Sequence, residues 1–436
     1  MATEVAVINA SSGVSTFYST YAAARSAASS GDTIQVWADL ADEQILLKDG
    51  VDLWFAPGRI IETSEGYPLI IDNDSVYTSP VAANLTGNAI FRNSNDKYRC
   101  VLISNSGSKI SIQCDSLEAT GTDPNETEYA TVHIENASTF YLTCNKVTNT
   151  NQRAIYFANE VGDININAIV IENGEFDGGD AVTIRGTGFL TANEVISKND
   201  GGCLVHKAGS LIATVLKLTT IDSDIETSAT VQLTGGTGTQ NLTLYFDEIQ
   251  NSSTGGGDAV KIDEGRANVI GRRIYSTSGL ALNLIDDIIS ANFQCVDIIS
   301  NGRCIEISND DEQIIIDANY IEGYTAETDG VVYCSSGGNF LLRNMKIKNL
   351  NSGGTNSPYS MGIYLGTGTI NMMIENIIVV TSELSSTSKT IVSASSRDVK
   401  NLGLFVNKAI SSNITLKIGT EVVTGNYKYI ISADVT

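Results

Sequence analysis

The chain has 436 residues, with 27 Lys and Arg residues against 50 Asp and Glu residues, and its formal charge at pH 7 is −23. This charge argues against a nucleic-acid ligand and against binding to an anionic membrane, because both need a basic protein surface. No run approaches the roughly 18 apolar residues that cross a bilayer, so we expect a soluble protein without membrane insertion.

The N-terminal segment, residues 1–30, is predicted to form a cap that contains an amphipathic helix. Small helix formers and Tyr residues fall at helical spacing from Tyr18 to Ala28 in the stretch "YSTYAAARSAA". Gly31 and Asp32 then form a turn into the strand-like "TIQVWADL". A helix laid across the end of a stack of strands would cover its unpaired backbone and its apolar interior.

A sequence repeat begins at Cys100. Its units open with "CVLISN" (100), "TVHIEN" (131), "AIYFAN" (154), "AVTIRG" (181), "CLVHKA" (203), "TVQLTG" (230), "AVKIDE" (259), "LALNLI" (280), "CIEISN" (304), "VVYCSS" (331), "GIYLGT" (362) and "TIVSAS" (390). The mean period is about 26 residues, and a second strand-like stretch follows each opening. Short strands at this period, without helices between them, predict an all-β fold: a single parallel β-helix, or solenoid, over residues 31–410.

The C-terminal segment, residues 411–436, is predicted to leave the coil as a β-hairpin-like extension. Apolar and polar residues alternate in "ITLKIGTEVV" and "YKYIISADV", on either side of Gly425 and Asn426. Because an isolated two-stranded hairpin is marginal in water, its apolar face needs the last coil or a neighbouring chain as a partner. We therefore expect this segment to mediate assembly or to cap the solenoid.

The seven Cys residues are widely scattered and form no CxxC motif. We predict that they are buried free thiols of a protein that folds in a reducing cytosol. The first residues lack the basic and apolar regions of a standard secretory signal, which fits the same compartment.

Two Gly-Gly-Asp sequences invite comparison with hydrolases. "DGGDAVTI" (177–184) and "GGGDAVKI" (255–262) each carry one Asp, whereas polygalacturonase-like hydrolases carry two there, together with a His-Gly pair that this chain lacks. We therefore interpret both sequences as turns that lead into strands.

The repeat alignment places four Asp residues in one acidic ladder. Asp286 and Asp310 share one offset within their units, and Asp287 and Asp311 share the next. Carboxylates about 5 Å apart on adjacent coils can bind Ca²⁺ through oxygen ligands, or act as the carboxylate pair of a glycosidase. The alternative is a solvated acidic turn that nearby Arg residues partly neutralise. Apart from this Ca²⁺ candidate, we expect no cofactor.

The third residue of the first strand in each coil is predicted to point outward. The candidate ligand-binding residues at this position are His133, Tyr156, Gln232, Tyr333 and Tyr364, and the same position carries Thr183, Lys261 and Glu306. Such a column can hold a sugar chain, because rings stack on the apolar faces of sugars and polar groups bond to their hydroxyls. The alternative is an ordinary solvated strand face.

The arrangement "STYAAARSAASSGDTIQVWADL…LKDGVDLWFAPGRII" resembles the N-terminal cap and first coil of pectate-lyase-like right-handed β-helix proteins, especially those of bacteriophage tail spikes and fibres. The final "FVNKAISSNITLKIGTEVVTGNYKYIISADVT" is similar to C-terminal segments of phage fibre proteins. The resemblance implies a right-handed coil in a homo-oligomer, with a trimer favoured, and contacts with other virion proteins. It also implies a location in the virion after assembly in the bacterial cytoplasm.

The function that this resemblance favours is that of a virion fibre or spike that attaches to carbohydrate on a host surface. Two alternatives stay open. A polysaccharide lyase or glycoside hydrolase can carry its active site on a face of the same fold, and a bacterial surface adhesin can share its architecture.

Overall fold

The structure is a computed structural model that describes residues 5–64, 66–71, 80–94, 99–120, 130–174, 179–198, 201–221, 229–235, 238–308, 313–324, 330–335, 338–350, 360–365, 370–375, 378–381, 389–393, 403–406 and 428–431. The chain divides into two units, Met1–Val215 and Leu216–Thr436. The fold is an all-β solenoid of the right-handed type, with about ten turns, which confirms the predicted parallel β-helix.

Unit 1 contains the helix α1 (Tyr21–Ala27) and most of the short strands. Its strands are β1 (Val5–Ile8), β2 (Ser15–Tyr18), β3 (Thr33–Val36), β4 (Leu40–Ala41), β5 (Ile45–Leu46), β6 (Asp52–Phe55), β7 (Ile60–Thr63), β8 (Leu69–Ile71), β9 (Ala82–Gly87), β10 (Ile90–Asn93), β11 (Val101–Ile103), β12 (Lys109–Gln113), β13 (Ser116–Ala119), β14 (Ala130–Ile134), β15 (Thr139–Asn149), β16 (Arg153–Phe157), β17 (Val161–Glu172), β18 (Val182–Ser197) and β19 (Leu204–Ala208). The division between the units falls within β20 (Ser210–Thr220).

The strands of unit 2 include the longest in the chain, because several continue around a corner of the coil. They are β21 (Val231–Leu233), β22 (Asn241–Asn251), β23 (Val260–Ser276), β24 (Leu282–Ser300), β25 (Ile305–Ser308), β26 (Gln313–Gly323), β27 (Val332–Cys334), β28 (Gly338–Arg343), β29 (Lys346–Asn349), β30 (Ser360–Leu365), β31 (Ile370–Glu375), β32 (Ile378–Thr381), β33 (Lys389–Ser393), β34 (Gly403–Val406) and β35 (Lys428–Ile431).

In each unit the strands stack in three columns of parallel pairs. In unit 1 the third column runs through β5, β8, β11, β14, β16, the start of β18, and β19. In unit 2 the corresponding column runs through β21, the starts of β23 and β24, and then β25, β27, β30 and β33. A side chain at one position of a strand therefore lies beside its equivalents on the coils before and after it.

Inward-facing side chains form apolar ladders in both units. One ladder of unit 1 consists of Ile34, Leu53, Leu85, Ile112, Leu142, Ile166 and Leu190, and all are buried. One ladder of unit 2 consists of Leu244, Val269, Phe293, Ile316 and Leu342, also buried. Alternation of apolar and polar residues along each strand puts the apolar set inside, and its removal from water stabilises the coil.

Buried Asn and Ser side chains stack at one corner of unit 2. In unit 2 the side chain of Asn251 pairs in register with Ser276, which pairs with Ser300. Asn251 donates a hydrogen bond to the carbonyl of Asp258, in the turn that follows its strand. Ser276 donates to the carbonyl of Gly257 and Ser300 to that of Gly279, in the turns that precede their strands. These bonds tie the turns to the buried corner of the coil.

The N-terminal end differs from the predicted helix of Tyr18 to Ala28. Tyr18 belongs to β2, which pairs antiparallel with β1, and β1 in turn pairs antiparallel with β3 of the first coil. The helix begins only at Tyr21, after the N-cap Thr20, whose side chain accepts a hydrogen bond from the N–H of Ala23. The backbone edge of β3 is therefore paired by a strand.

Helix α1 lies against the segment that follows β4. Tyr21 is buried, and its hydroxyl donates to the carbonyl of Leu46 at 2.8 Å. Arg25 donates to the carbonyls of Leu46 and Leu47, and Lys48 donates to the carbonyl of Ala28. After the helix, Gly31 has a φ of +92°, in the left-handed region that favours glycine, so the predicted turn at Gly31 and Asp32 is confirmed.

At the C-terminal end, β35 pairs in parallel with β34 in a separate two-stranded sheet. The first strand of the predicted hairpin, "ITLKIGTEVV", and the turn at Gly425 and Asn426 lie outside the described residues. The hairpin therefore stays a prediction.

All seven Cys residues are buried thiols, as predicted. Burial raises the pKa of Cys295 to about 12 and raises the pKa of Cys100 and Cys304 further, so these thiols stay protonated.

Candidate functional site

The predicted outward positions of unit 1 are neighbours in the third column. We call this set the unit 1 row; it comprises Leu102, His133, Tyr156, Thr183 and Val205. Of this row, His133, Tyr156 and Thr183 were predicted to point outward, and exposure is wrong for His133 (1% exposed) and Thr183 (0% exposed). Leu102 and Val205 are also buried. Tyr156 is half-buried and is the aromatic residue of this row that a ligand can reach.

Tyr156 lies between a ring and a cation. The His133 ring meets it edge to face, with 5.1 Å between ring centroids. The guanidinium carbon of Arg153 lies 4.5 Å from the Tyr156 centroid, a cation–π distance. These contacts fix the orientation of the tyrosine ring.

The predicted positions of unit 2 also form a continuous row in register. We call it the unit 2 row; it comprises Gln232, Lys261, Asn283, Glu306, Tyr333 and Tyr364. All six side chains are half-buried, so each combines a fixed position with access to solvent. The row therefore contains three residues of the predicted ligand-binding set, Gln232, Tyr333 and Tyr364.

The aromatic end of the unit 2 row is a stacked pair. The rings of Tyr333 and Tyr364 have centroids 5.2 Å apart and an interplanar angle of 21°. The guanidinium of Arg303 lies over the Tyr333 ring at 4.5 Å, and its Nη1 donates to Oε2 of Glu306 at 2.5 Å. A planar cation, two rings and a carboxylate thus adjoin one another on successive coils.

Two acidic residues beside the row, Asp263 and Asp258, contact the side chains at its polar end. Gln232 donates to Oδ2 of Asp263 at 2.8 Å, and the Lys261 ammonium lies 3.2 Å from Oδ1 of the same carboxylate. Asn283 donates to Oδ2 of Asp258 at 2.6 Å. These contacts orient an amide, an ammonium and a second amide along the surface.

The described parts of the two Gly-Gly-Asp sequences, from Gly179 and from Gly255, lead into the strands β18 and β23. Asp258 accepts a hydrogen bond from the N–H of Leu280, and Asp180 accepts one from the N–H of Gly202, in each case on the following coil. Burial raises the pKa of Asp258, although the hydrogen bonds from Asn283 and Leu280 oppose this shift. Both Asp side chains therefore join one coil to the next.

The repeat alignment from which the acidic ladder was predicted differs from the structure. The alignment of the units at 280 and 304 places Leu284 beside Ser308, whereas Ile285 pairs with Ser308. Asp287 pairs with Glu264 of the preceding coil and is exposed. Asp310, Asp311 and the side chain of Asp286 lie outside what the structure describes. Within the described part of the chain, no group of three or more His, Cys, Asp or Glu residues is placed to hold a metal ion.

The sequence pattern missed the residues that frame the two rows. Arg153 and Arg303 each stand three residues before a row position, Tyr156 and Glu306, and this shared spacing is the signal that could have identified them. Asn283 was missed because the unit at residue 280 was aligned one residue too early.

No protein-family model matches the chain, and no curated protein or solved structure is significantly similar to it. Among the described residues, no helix is both long and apolar enough to cross a bilayer. Functional inference therefore depends on the chain's own residues.

Proposed function

We propose that the protein attaches to carbohydrate through the unit 2 row. The observation that carries this proposal is the stacked pair of Tyr333 and Tyr364 with Arg303 over one ring. Aromatic faces pack against the apolar faces of sugar rings, and the amide, ammonium and carboxylate groups farther along the row bond to hydroxyls.

The length of the row suits an extended ligand. Paired strands lie about 4.8 Å apart, so six side chains on successive coils span about 24 Å, which is room for several sugar rings. Contacts within the row restrict the rotamers of its side chains before any ligand arrives. Less side-chain entropy is then lost on binding.

The wider role that we propose is that of a bacteriophage tail fibre or spike located in the virion, in which the solenoid presents the row to a host-surface glycan. The supports are the solenoid fold, the acidic composition and the resemblance of the terminal segments to those of phage fibres and spikes. In this proposal α1 caps the first coil, and residues 411–436 mediate assembly into a homo-oligomer, a trimer being the favoured state, or contact other virion proteins.

The test is binding of the full chain to a panel of bacterial surface polysaccharides by glycan array and calorimetry. Tyr333→Ala and Tyr364→Ala are each expected to weaken binding of the responding glycan by about tenfold or more, because each removes one stacking ring. Tyr275→Ala is the matched control. Its ring also lies under an Arg, with 5.0 Å from the Arg273 guanidinium to the centroid, but it belongs to another column.

Loss of binding in all three variants, or in none of them, would contradict the proposal. The same incubations report on the alternative function. A new reducing end or an unsaturated product would show that the glycan is a substrate, as expected of a lyase or a glycoside hydrolase.

A further inference from the structure

Unit 1 carries three cations at the third column that make no ion pair with a described carboxylate: Arg153 of β16, Arg185 of β18 and Lys207 of β19. They stand on three successive coils of this column. All three are half-buried. In a chain of formal charge −23, cations that are left without a carboxylate partner need an explanation.

Most other described cations have partners. Arg59, Arg92, Arg99, Lys146 and Lys198 of the same unit each pair with a carboxylate. Lys109 of unit 1 has no such partner either, but its side chain is exposed and therefore solvated. Half-burial without an ion pair to a described carboxylate distinguishes Arg153, Arg185 and Lys207, the three-cation cluster, from Lys109.

Two guanidinium groups of the cluster have an unused donor. The Nε atoms of Arg153 and Arg185 are buried and have no hydrogen-bond partner. A buried donor without an acceptor costs free energy, so an acceptor placed beside these groups would be stabilising.

The carboxylate near the cluster is already engaged. Asp180 accepts hydrogen bonds from the hydroxyl of Thr183 at 2.9 Å and from the N–H of Gly202 at 3.1 Å. Burial lowers the pKa of Lys207, and the positive charges of Arg153 and Arg185 lower it further. The negative charge of Asp180 raises this pKa and so opposes both effects. Among the described residues that act on Lys207, the balance is two Arg charges and one carboxylate.

We propose that Arg153, Arg185 and Lys207 form a binding site for one anionic group, a sulfate or a carboxylate, with the Tyr156 ring as its apolar wall. The planar Arg groups suit the oxygens of such an anion, and the ammonium adds a point charge. A sugar that carries the anionic group would place its ring against Tyr156, whose other contacts fix its orientation. This site lies in unit 1 and does not depend on the proposed role of the unit 2 row.

The experiment measures thermal melting and calorimetric binding with sodium sulfate at constant ionic strength, with sodium chloride as the balancing salt. Sulfate is expected to raise the melting temperature of the unchanged protein above the chloride reference. Arg185→Gln and Lys207→Gln are each expected to weaken sulfate binding by about tenfold, because each removes a charge-assisted hydrogen bond. Arg185→Lys, which keeps the charge, is expected to retain part of the binding.

Lys109→Gln is the matched control, since it removes an unpaired but exposed cation of the same unit. Sulfate also stabilises proteins in general by exclusion from their surface, and that effect is common to all variants. An equal sulfate response in the unchanged protein and in the Arg185, Lys207 and Lys109 variants would overturn the proposal.

A second arm compares a glucuronate-containing tetrasaccharide with neutral maltotetraose. Binding of the acidic tetrasaccharide but not the neutral one, lost in Lys207→Gln, identifies the anion as part of a sugar. Binding of sulfate alone identifies a free inorganic anion. Both results support the site, whereas equal binding of the acidic and neutral sugars, without a sulfate response, contradicts it.

Discussion

Asp32 shows how one side chain can fix the entry into a stack of coils. Its carboxylate accepts hydrogen bonds from the N–H of Ser29 at 2.8 Å and from the N–H of Ala10 at 2.9 Å. These bonds, that from Ser29 first, hold the pKa of Asp32 below its usual value of 3.8. The stability that Asp32 contributes is therefore complete above the unfolded-state pKa, and it is lost as the pH falls through the lower folded-state pKa.

Asp32→Asn is accordingly expected to lower the free energy of unfolding at neutral pH and to reduce its decline in acid. An amide has one acceptor oxygen and cannot accept both backbone bonds through separate oxygens. Urea unfolding across an acid pH series measures both effects, with Glu160→Gln, at an exposed position, as the control. Parallel pH profiles for Asp32→Asn and the unchanged protein would show that Asp32 has no such role.

The sequence pattern predicted which residues share a column, but it did not predict how exposed their side chains are. Alternation within "TVHIEN" and "AVTIRG" directs His133 and Thr183 away from the apolar interior, yet both are buried. Exposure depends on what neighbouring coils and turns place over a side chain, and those neighbours are distant in sequence. The stacking of Tyr333 on Tyr364 was accessible to prediction, because both occupy the same position of their repeat units.

Among the structural elements, the polar corner row of unit 2 makes a distinct prediction. Asn251, Ser276 and Ser300 occupy equivalent places, and each donates to a carbonyl of a turn. Asn251→Ala is expected to lower the free energy of unfolding by about 1–3 kcal/mol, because it removes the donor to the Asp258 carbonyl and the acceptor of the buried Ser253 N–H. Asn251→Ser is expected to cost less, since serine already fills this place on the next two coils. Denaturant unfolding of both variants checks the order, and an equal loss would refute it.

Element boundaries were less predictable from the sequence than element types. The parallel strands were predictable because a repeat of apolar positions with polar turns has few other folds available. The register of β24 with β25 was not predictable. Gly279 and Leu280 can belong either to the turn before β24 or to the strand itself, and the sequence does not distinguish the two possibilities. Likewise, Tyr18 continues the helical spacing of residues 21–28, but pairing of β2 with β1 places it in a strand.

At the scale of the whole molecule, the proposed assembly role of the C-terminal segment can be tested by truncation. A chain lacking residues 411–436 is expected to keep its circular dichroism spectrum and melting temperature but to lose its oligomeric mass. The physical reason is that the apolar face predicted for this segment needs a partner surface, and in this proposal a neighbouring chain supplies it. Sedimentation velocity of the full and truncated chains makes the measurement. A truncated chain that aggregates, or that melts at a lower temperature, would instead identify an ordinary cap.

The parallel pairing of neighbouring coils bears on how such a chain can evolve. Because each coil adds one side chain to the unit 2 row, in-frame duplication or loss of the DNA that encodes one coil would change the row by one position. The spacing of the remaining positions would stay the same, since it is set by backbone hydrogen bonds between strands. Under the proposed function, the length of ligand that the row accepts can therefore change in single steps, without redesign of the interior.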